Sequence, residues 1–181
     1  MLTRQVSTAY LLTTLLCSLF LATLVNNAHA KVVEYNFDIN YKTVNFSGKN
    51  VQAMAVGGSI PAPTIEATVG DTLRVTFHNK MDVPSSIHWH GVLLPQDQDG
   101  VPFLTMRPIQ PGTSFTYEYP VIHHGTYWYH SHTGLQEQRG VYGSIVFHPA
   151  HSETARDTVS ADHELVCLLY TSDAADDLRC V

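Results

Sequence analysis

Five short strand-like runs, three of them alternating apolar and polar residues, are separated by turns and limit what this chain can build. Tyr35, Phe37, Ile39 and Tyr41 alternate with Asn36, Asp38 and Asn40. Leu73, Val75 and Phe77 repeat the pattern after Gly70-Asp71, and Phe115, Tyr117 and Tyr119 repeat it after Pro111-Gly112. Tyr127 to His132 follows Gly125, and Val141 to Phe147 is closed by Pro149. A period of two sends alternate side chains to opposite faces of a strand. Turn residues fall between the runs at Ser47-Gly48, Gly57-Gly58, Pro61-Ala62-Pro63, Pro84-Ser85-Ser86, Asp99-Gly100 and Gly140. No segment carries a helical period. The pattern predicts an all-β fold, a sandwich or barrel of about 120 residues. Gly143, inside the last run, marks a bulge or a close backbone approach.

Both ends read differently from this body. Met1-Leu2-Thr3-Arg4, an apolar run from Tyr10 to Val25, and Ala28-His29-Ala30 have the form of a secretory leader, cleaved after Ala30. Thr13, Thr14, Ser18 and Thr23 interrupt the run, and it is shorter than the ~20 residues of a membrane span, so no stable membrane association is expected. Residues 1–30 are read as signal peptide, 31–150 as one domain, and 151–166 as a polar connector and the start of a further domain. From Cys167 the sequence Cys-Leu-Leu-Tyr-Thr-Ser-Asp-Ala-Ala-Asp resembles a translated sequencing-library adapter, so 167–181 is read as an artefactual tail.

Composition narrows the chemistry. The net charge is −6 and no basic cluster occurs, which argues against a nucleic-acid partner. Eleven histidines exceed the ten lysines and arginines together, which makes metal binding the first question. The three cysteines are Cys17, Cys167 and Cys180, so residues 31–166 contain none. That body can form no disulfide and can offer no thiolate to a metal.

Two His-x-His pairs, each containing or following tryptophan, carry the chemistry: Ser86-Ile87-His88-Trp89-His90-Gly91 and Tyr127-Trp128-Tyr129-His130-Ser131-His132. Within each pair the imidazoles share a strand face, their Cα atoms ~6.6 Å apart at a rise of ~3.3 Å per residue. If the two strands neighbour one another, four imidazoles converge. One shared ion or two neighbouring ions are both open, and imidazole favours zinc, copper, iron or nickel over calcium or magnesium. Trp128 should share the face of His130 and Trp89 should face away from His88 and His90; core packing is expected of both. His78, His123, His124 and His148 are read as turn or strand-end residues, and Met54, Met81 and Met106 as packing.

These motifs resemble the two N-terminal copper motifs of multicopper oxidases. The resemblance continues in order through Gly58-Ser-Ile-Pro-Ala-Pro-Thr64, Gly70-Asp-Thr-Leu-Arg-Val75, Asp99-Gly-Val-Pro102, Gly134-Leu-Gln-Glu-Gln138 and Gly140-Val-Tyr-Gly143. Gln136-Glu137-Gln138 is most similar to the copper-resistance protein A branch, periplasmic enzymes of bacteria. The resemblance implies a Greek-key cupredoxin-like β-sandwich. It implies type 2 copper at His88, one type 3 copper at His90 and His130, and the other at His132. It places Asp99 as an outer-sphere acid that orients water and helps deliver protons; a plain turn aspartate before Gly100 is the other reading.

The function implied is the first domain of a periplasmic oxidase. Copper ions and dioxygen are its small partners, and the missing C-terminal cupredoxin domains supply the rest of the cluster. A blue type 1 copper needs a cysteine thiolate with two histidines, which residues 31–166 lack. The chain alone is therefore expected to be inactive. The alternative is a non-catalytic copper-binding or sequestration module. A single-domain electron-transfer cupredoxin is disfavoured by the same missing thiolate.

Overall fold

The computed structural model describes residues 30–150 and 165–167. The leader before Ala30, residues 151–164 of the connector and the tail beyond Cys167 lie outside the described residues. From Lys31 the chain forms eight strands: β1 (Val32–Val44), β2 (Val51–Val56), β3 (Ala62–Thr68), β4 (Thr72–Asn79), β5 (His88–His90), β6 (Ser114–Pro120), β7 (Gly125–His130) and β8 (Tyr142–His148). A short 3-10 turn at Gln96–Gln98 interrupts the long loop between β5 and β6. One sheet runs β2-β1-β4-β6 and the other β3-β8-β7-β5. The expected all-β cupredoxin-like sandwich is the observed fold.

Period-two patterning drives it. In β4, Leu73, Val75 and Phe77 are fully buried while Thr72, Arg74 and Thr76 are only partly covered. β4 pairs parallel with β1 and antiparallel with β6, so Phe77 lies beside Phe37 and Phe115. Phe77 and Tyr117 from the first sheet meet Trp89 and Tyr129 from the second, with ring centroids 5.3–6.1 Å apart in the Phe77–Trp89, Phe77–Tyr129 and Trp89–Tyr117 contacts. Such pairs add about 0.5–1.5 kcal/mol each beyond the area they bury. This aromatic cluster joins the two sheets and fixes the facing of β5 and β7.

Two strands escaped the alternation. β2 reads Val-Gln-Ala-Met-Ala-Val, and β3 begins inside the Pro61-Ala62-Pro63 turn signal. Pro63 is tolerated because β3 is a sheet edge, where a missing N–H costs no ladder bond. The pairing of β3 with β8 shifts register between Ala62 and Ile65. Gly143, opposite Ala62, answers a close approach: a Cβ there would sit 2.6 Å from the Tyr129 ring, which reaches across so that its hydroxyl donates to the Pro63 carbonyl at 2.7 Å.

Candidate metal centre

β5 is the edge of the second sheet and pairs antiparallel with β7: His88 faces His130, Trp89 faces Tyr129, and His90 faces Trp128. Directly opposed residues share a face. Trp89 and Tyr129 therefore point together into the core, both fully buried. His88, His90, Trp128 and His130 point together out of it. Burying one aromatic pair thus presents three imidazoles on the opposite face.

His132 arrives by another route. The strand expected to reach it ends at His130. Ser131 N–H instead donates to the Val141 carbonyl at 2.9 Å, and His132 N–H donates to Ser86 Oγ at 3.2 Å. Its ring still lies 5.5 Å from that of His88 and 6.0 Å from that of His130. The structure brings all four sequence-predicted histidines together. One donor atom from each of His88, His90 and His130 falls within 4.8 Å of the others, while His132 stands beside this trio.

Backbone carbonyls set the tautomers. His88 Nδ1 lies 2.8 Å from the Asp99 carbonyl, and His130 Nδ1 lies 3.0 Å from the Ser131 carbonyl. A carbonyl only accepts, so each Nδ1 carries the hydrogen and each Nε2 keeps a free lone pair. His130 Nε2 then faces His90 Nδ1 across 3.3 Å. That is the span of two imidazoles each about 2.0–2.1 Å from one shared ion. The all-imidazole donor set with lone pairs converging fits copper, and equally the other imidazole-loving transition metals. Burial pushes the His130 imidazole down to about 4, with the Ser131 carbonyl opposing and the neighbouring His88, His90 and His132 rings adding to the fall. The ring is neutral, the form a metal needs, at any ordinary pH.

Asp99 ends the 3-10 turn, its carbonyl on His88 Nδ1 and its carboxylate oxygen 3.5 Å from the same atom. Gly100 permits this approach: a Cβ there would lie 1.7 Å from the Ile87 carbonyl oxygen. Trp128 departs from the core-packing role expected of it. It stacks on His130 at 4.0 Å between centroids and on His90 at 5.0 Å, walling the trio from the side. Trp89 alone keeps the core role.

Several residues were not legible as site residues. Glu137 places a carboxylate oxygen 3.0 Å from His130 Nδ1. Gln136, buried, accepts from Ser85 Oγ at 2.7 Å and Ser131 Oγ at 2.9 Å, and its amide donates to the Pro84 carbonyl at 2.7 Å. Ser86 Oγ meets Thr133 Oγ1 at 2.8 Å. These bonds stitch the segment before the first histidine pair to the segment after the second. Ser85-Ser86 read as a turn, and Gln136-Glu137 entered only as part of a family-like stretch, with nothing in either to show a role at the site. His123, set aside as a turn residue, is a brace: Leu93 N–H donates to its Nε2 at 2.9 Å, and its Nδ1–H reaches the Tyr127 hydroxyl at 2.8 Å.

A family model described as "Multicopper oxidase" matches residues 38–152. Copper resistance protein A of Pseudomonas syringae pv. tomato is 43% identical over 120 residues, covering 66% of this chain and 20% of that protein. Copper resistance protein A of Escherichia coli is 39% identical over 144 residues, covering 80% of this chain and 23% of that protein. The crystal structure of a multi-copper oxidase from Pseudomonas thermotolerans aligns with a TM-score of 0.64 at 35% identity, over 67% of this chain and 30% of that one. The chain spans about a fifth of the length of the curated relatives it matches. With a two-sheet fold, converging imidazoles and a family match over most of its body, the chain belongs to the multicopper oxidase family.

Proposed function

We propose that this chain is the N-terminal copper-binding domain of a periplasmic multicopper oxidase of the copper-resistance type. It contributes half the imidazoles of a trinuclear copper cluster. The observation that carries this reading is the convergence of His88, His90 and His130 within 4.8 Å, with His132 beside them. When bound, copper supplies the one-electron steps that together deliver four electrons to dioxygen. His88 would hold the type 2 ion, His90 and His130 would hold one type 3 ion, and His132 would hold the other. The Asp99 and Ser131 carbonyls hold two rings in the ligating tautomer, and the Asp99 carboxylate stands where it can order water beside His88. Trp128 shields one flank of the ligands.

The domain lies between residues 31 and 150, and the leader read before it supports export to the periplasm. Residues 31–166 offer no thiolate, so the blue copper and the remaining cluster ligands belong to other domains of the parent protein. Two measurements test the reading. The full chain should bind copper and consume no dioxygen by itself; ordinary turnover by it overturns the half-site assignment. Substituted for the matching segment of the Pseudomonas thermotolerans multi-copper oxidase, it should restore oxidase activity. Copper uptake by such a chimera without oxygen consumption would instead favour a sequestration module.

A further inference from the structure

Glu137 is the carboxylate that neither the fold nor the ligand set accounts for. Its side chain is only 19% exposed, yet it carries no lysine or arginine partner among the described ion pairs. Its oxygen lies 3.0 Å from Nδ1 of His130, the one buried member of the histidine trio. Nor is it a wandering surface acid. Arg139 N–H and Val141 N–H donate to the Gln136 carbonyl, and Gly140 N–H donates to the Glu137 carbonyl at 3.0 Å. The neighbouring Gln136 side chain is locked by three hydrogen bonds. The carboxylate is therefore delivered to the outer nitrogen of His130 by a braced turn.

We propose that Glu137 is a positioning and tuning residue for His130: its carboxylate against the outer ring nitrogen strengthens Nε2 as a ligand and favours the cupric over the cuprous ion. The inference rests on the copper-site reading given above. The Ser131 carbonyl already fixes the tautomer, so the distinct contribution of Glu137 is charge. A negative charge on the far side of an imidazole raises the electron density that the near nitrogen donates, and partners of this kind change metal affinity by about 10–100-fold when removed. Because the carboxylate interacts more with a doubly than a singly charged ion, its loss should weaken the two oxidation states unequally.

The test compares the full chain with its Glu137→Gln variant. Glu66→Gln is the control, since it removes the carboxylate that lies 2.9 Å from His148 on the exposed β3–β8 pair. Competition titrations with cupric and with cuprous chelators read the two affinities. Nitrogen-correlated proton spectra of the metal-free chain read the His130 ring. Glu137→Gln should lower cupric affinity about tenfold and cuprous affinity less, which raises the potential of the bound ion by up to about 59 mV. The His130 Nδ1–H resonance should shift while the tautomer stays, and Glu66→Gln should do neither. Equal losses for both ions, or no loss, overturn the inference. If the unaltered chain takes up no copper, or takes it up undiminished after His130→Ala, the copper-site reading itself fails, and the inference falls with it.

Discussion

His88 stands directly opposite His130 across the β5–β7 ladder, their rings edge to face with centroids 5.5 Å apart. The same register buries Trp89 against Tyr129, so a slip of one residue would take large rings out of the core along with moving the imidazoles. Site geometry is thereby tied to fold stability. Copper affinity should follow the trio: His88→Ala, His90→Ala and His130→Ala each lower it by roughly 100-fold, and His132→Ala by less, on the scale of ligand and near-ligand losses. The His90→Ala/His130→Ala double variant should be little worse than the poorer single, because both rings address one point. Chelator competition measures all five, and additive losses in the double variant would separate the two rings onto different ions.

Gly100 places Asp99 on His88. Its φ is +82°, a region open to glycine, and a Cβ would lie 1.7 Å from the Ile87 carbonyl oxygen. Backbone cannot swing aside as a side chain can. Gly100→Ala should push the Asp99 loop off β5, destabilise the domain by roughly 3 kcal/mol or more, and free His88 Nδ1. Chemical denaturation reads the first effect and the His88 ring resonances the second. A variant of native stability would mean that the loop is not held as described.

How much of this was legible in the sequence depended on the type of signal. The long alternating runs at Tyr35–Tyr41 and Leu73–Phe77 announced β1 and β4, because a half-buried strand must alternate. β2 and β3 did not announce themselves: Ala53, Ala55, Ala62 and Ala67 are small, and Pro61 and Pro63 read as turn. The histidine pairs were legible because period two makes i and i+2 share a face. Their meeting was not, since it depends on which strands pair, and no local pattern encodes that β5 becomes the edge beside β7. Trp128 shows the same limit. Its face followed from spacing, but only the pairing of His90 with Trp128 turned that face into a stack on two imidazoles. Glu137 and Gln136 act through a turn, where side-chain direction has no period to read.

Gln136 is the polar hub between the two histidine segments. Leucine in its place would leave Ser85 Oγ, Ser131 Oγ and the Pro84 carbonyl without their partner in a buried setting. Each unsatisfied buried group costs about 1–3 kcal/mol, so Gln136→Leu should destabilise by roughly 3 kcal/mol. The loss should fall on copper affinity too, since Ser131 and Ser86 set the path to His132. Gln136→Glu keeps the acceptor oxygen and loses the amide donor to Pro84, so it should fall between. Thermal denaturation with a copper titration on each variant checks the order.

Burial pushes the Tyr117, Tyr119 and Tyr129 hydroxyls well above their ordinary value. The unfolded chain loses those protons near pH 10 while the folded chain keeps them. Above about pH 10 the unfolded state therefore binds fewer protons and is favoured, so stability is full below that pH and falls as pH rises. Phenolate absorbance of these three residues should appear together with the loss of β-sheet circular dichroism. Tyr119 has no hydrogen-bond partner for its hydroxyl among the described residues, so Tyr119→Phe should be neutral or stabilising and delay the alkaline transition. Ionisation of Tyr117, Tyr119 and Tyr129 without unfolding would contradict the packed aromatic core.

Phe103 holds φ at +64°, in a region where an L side chain crowds its own backbone, and its ring is 89% exposed. The loop imposes this: Phe103 N–H donates to the Met106 carbonyl at 2.8 Å, and Thr105 closes back on Val101. The left-handed conformation costs a non-glycine residue about 1–2 kcal/mol, and an exposed ring recovers little of it. Phe103→Gly removes that cost and adds about 0.4–1 kcal/mol of unfolded-chain entropy to be lost on folding. The balance is a gain of up to about 1 kcal/mol, a rise of a few degrees in melting temperature for a domain of this size. Phe103→Ala keeps the strain and should gain nothing, so the pair separates backbone relief from loss of an exposed ring. A fall in melting temperature for the glycine variant would show instead that the ring holds the loop beside Asp99 through contacts worth more than the strain.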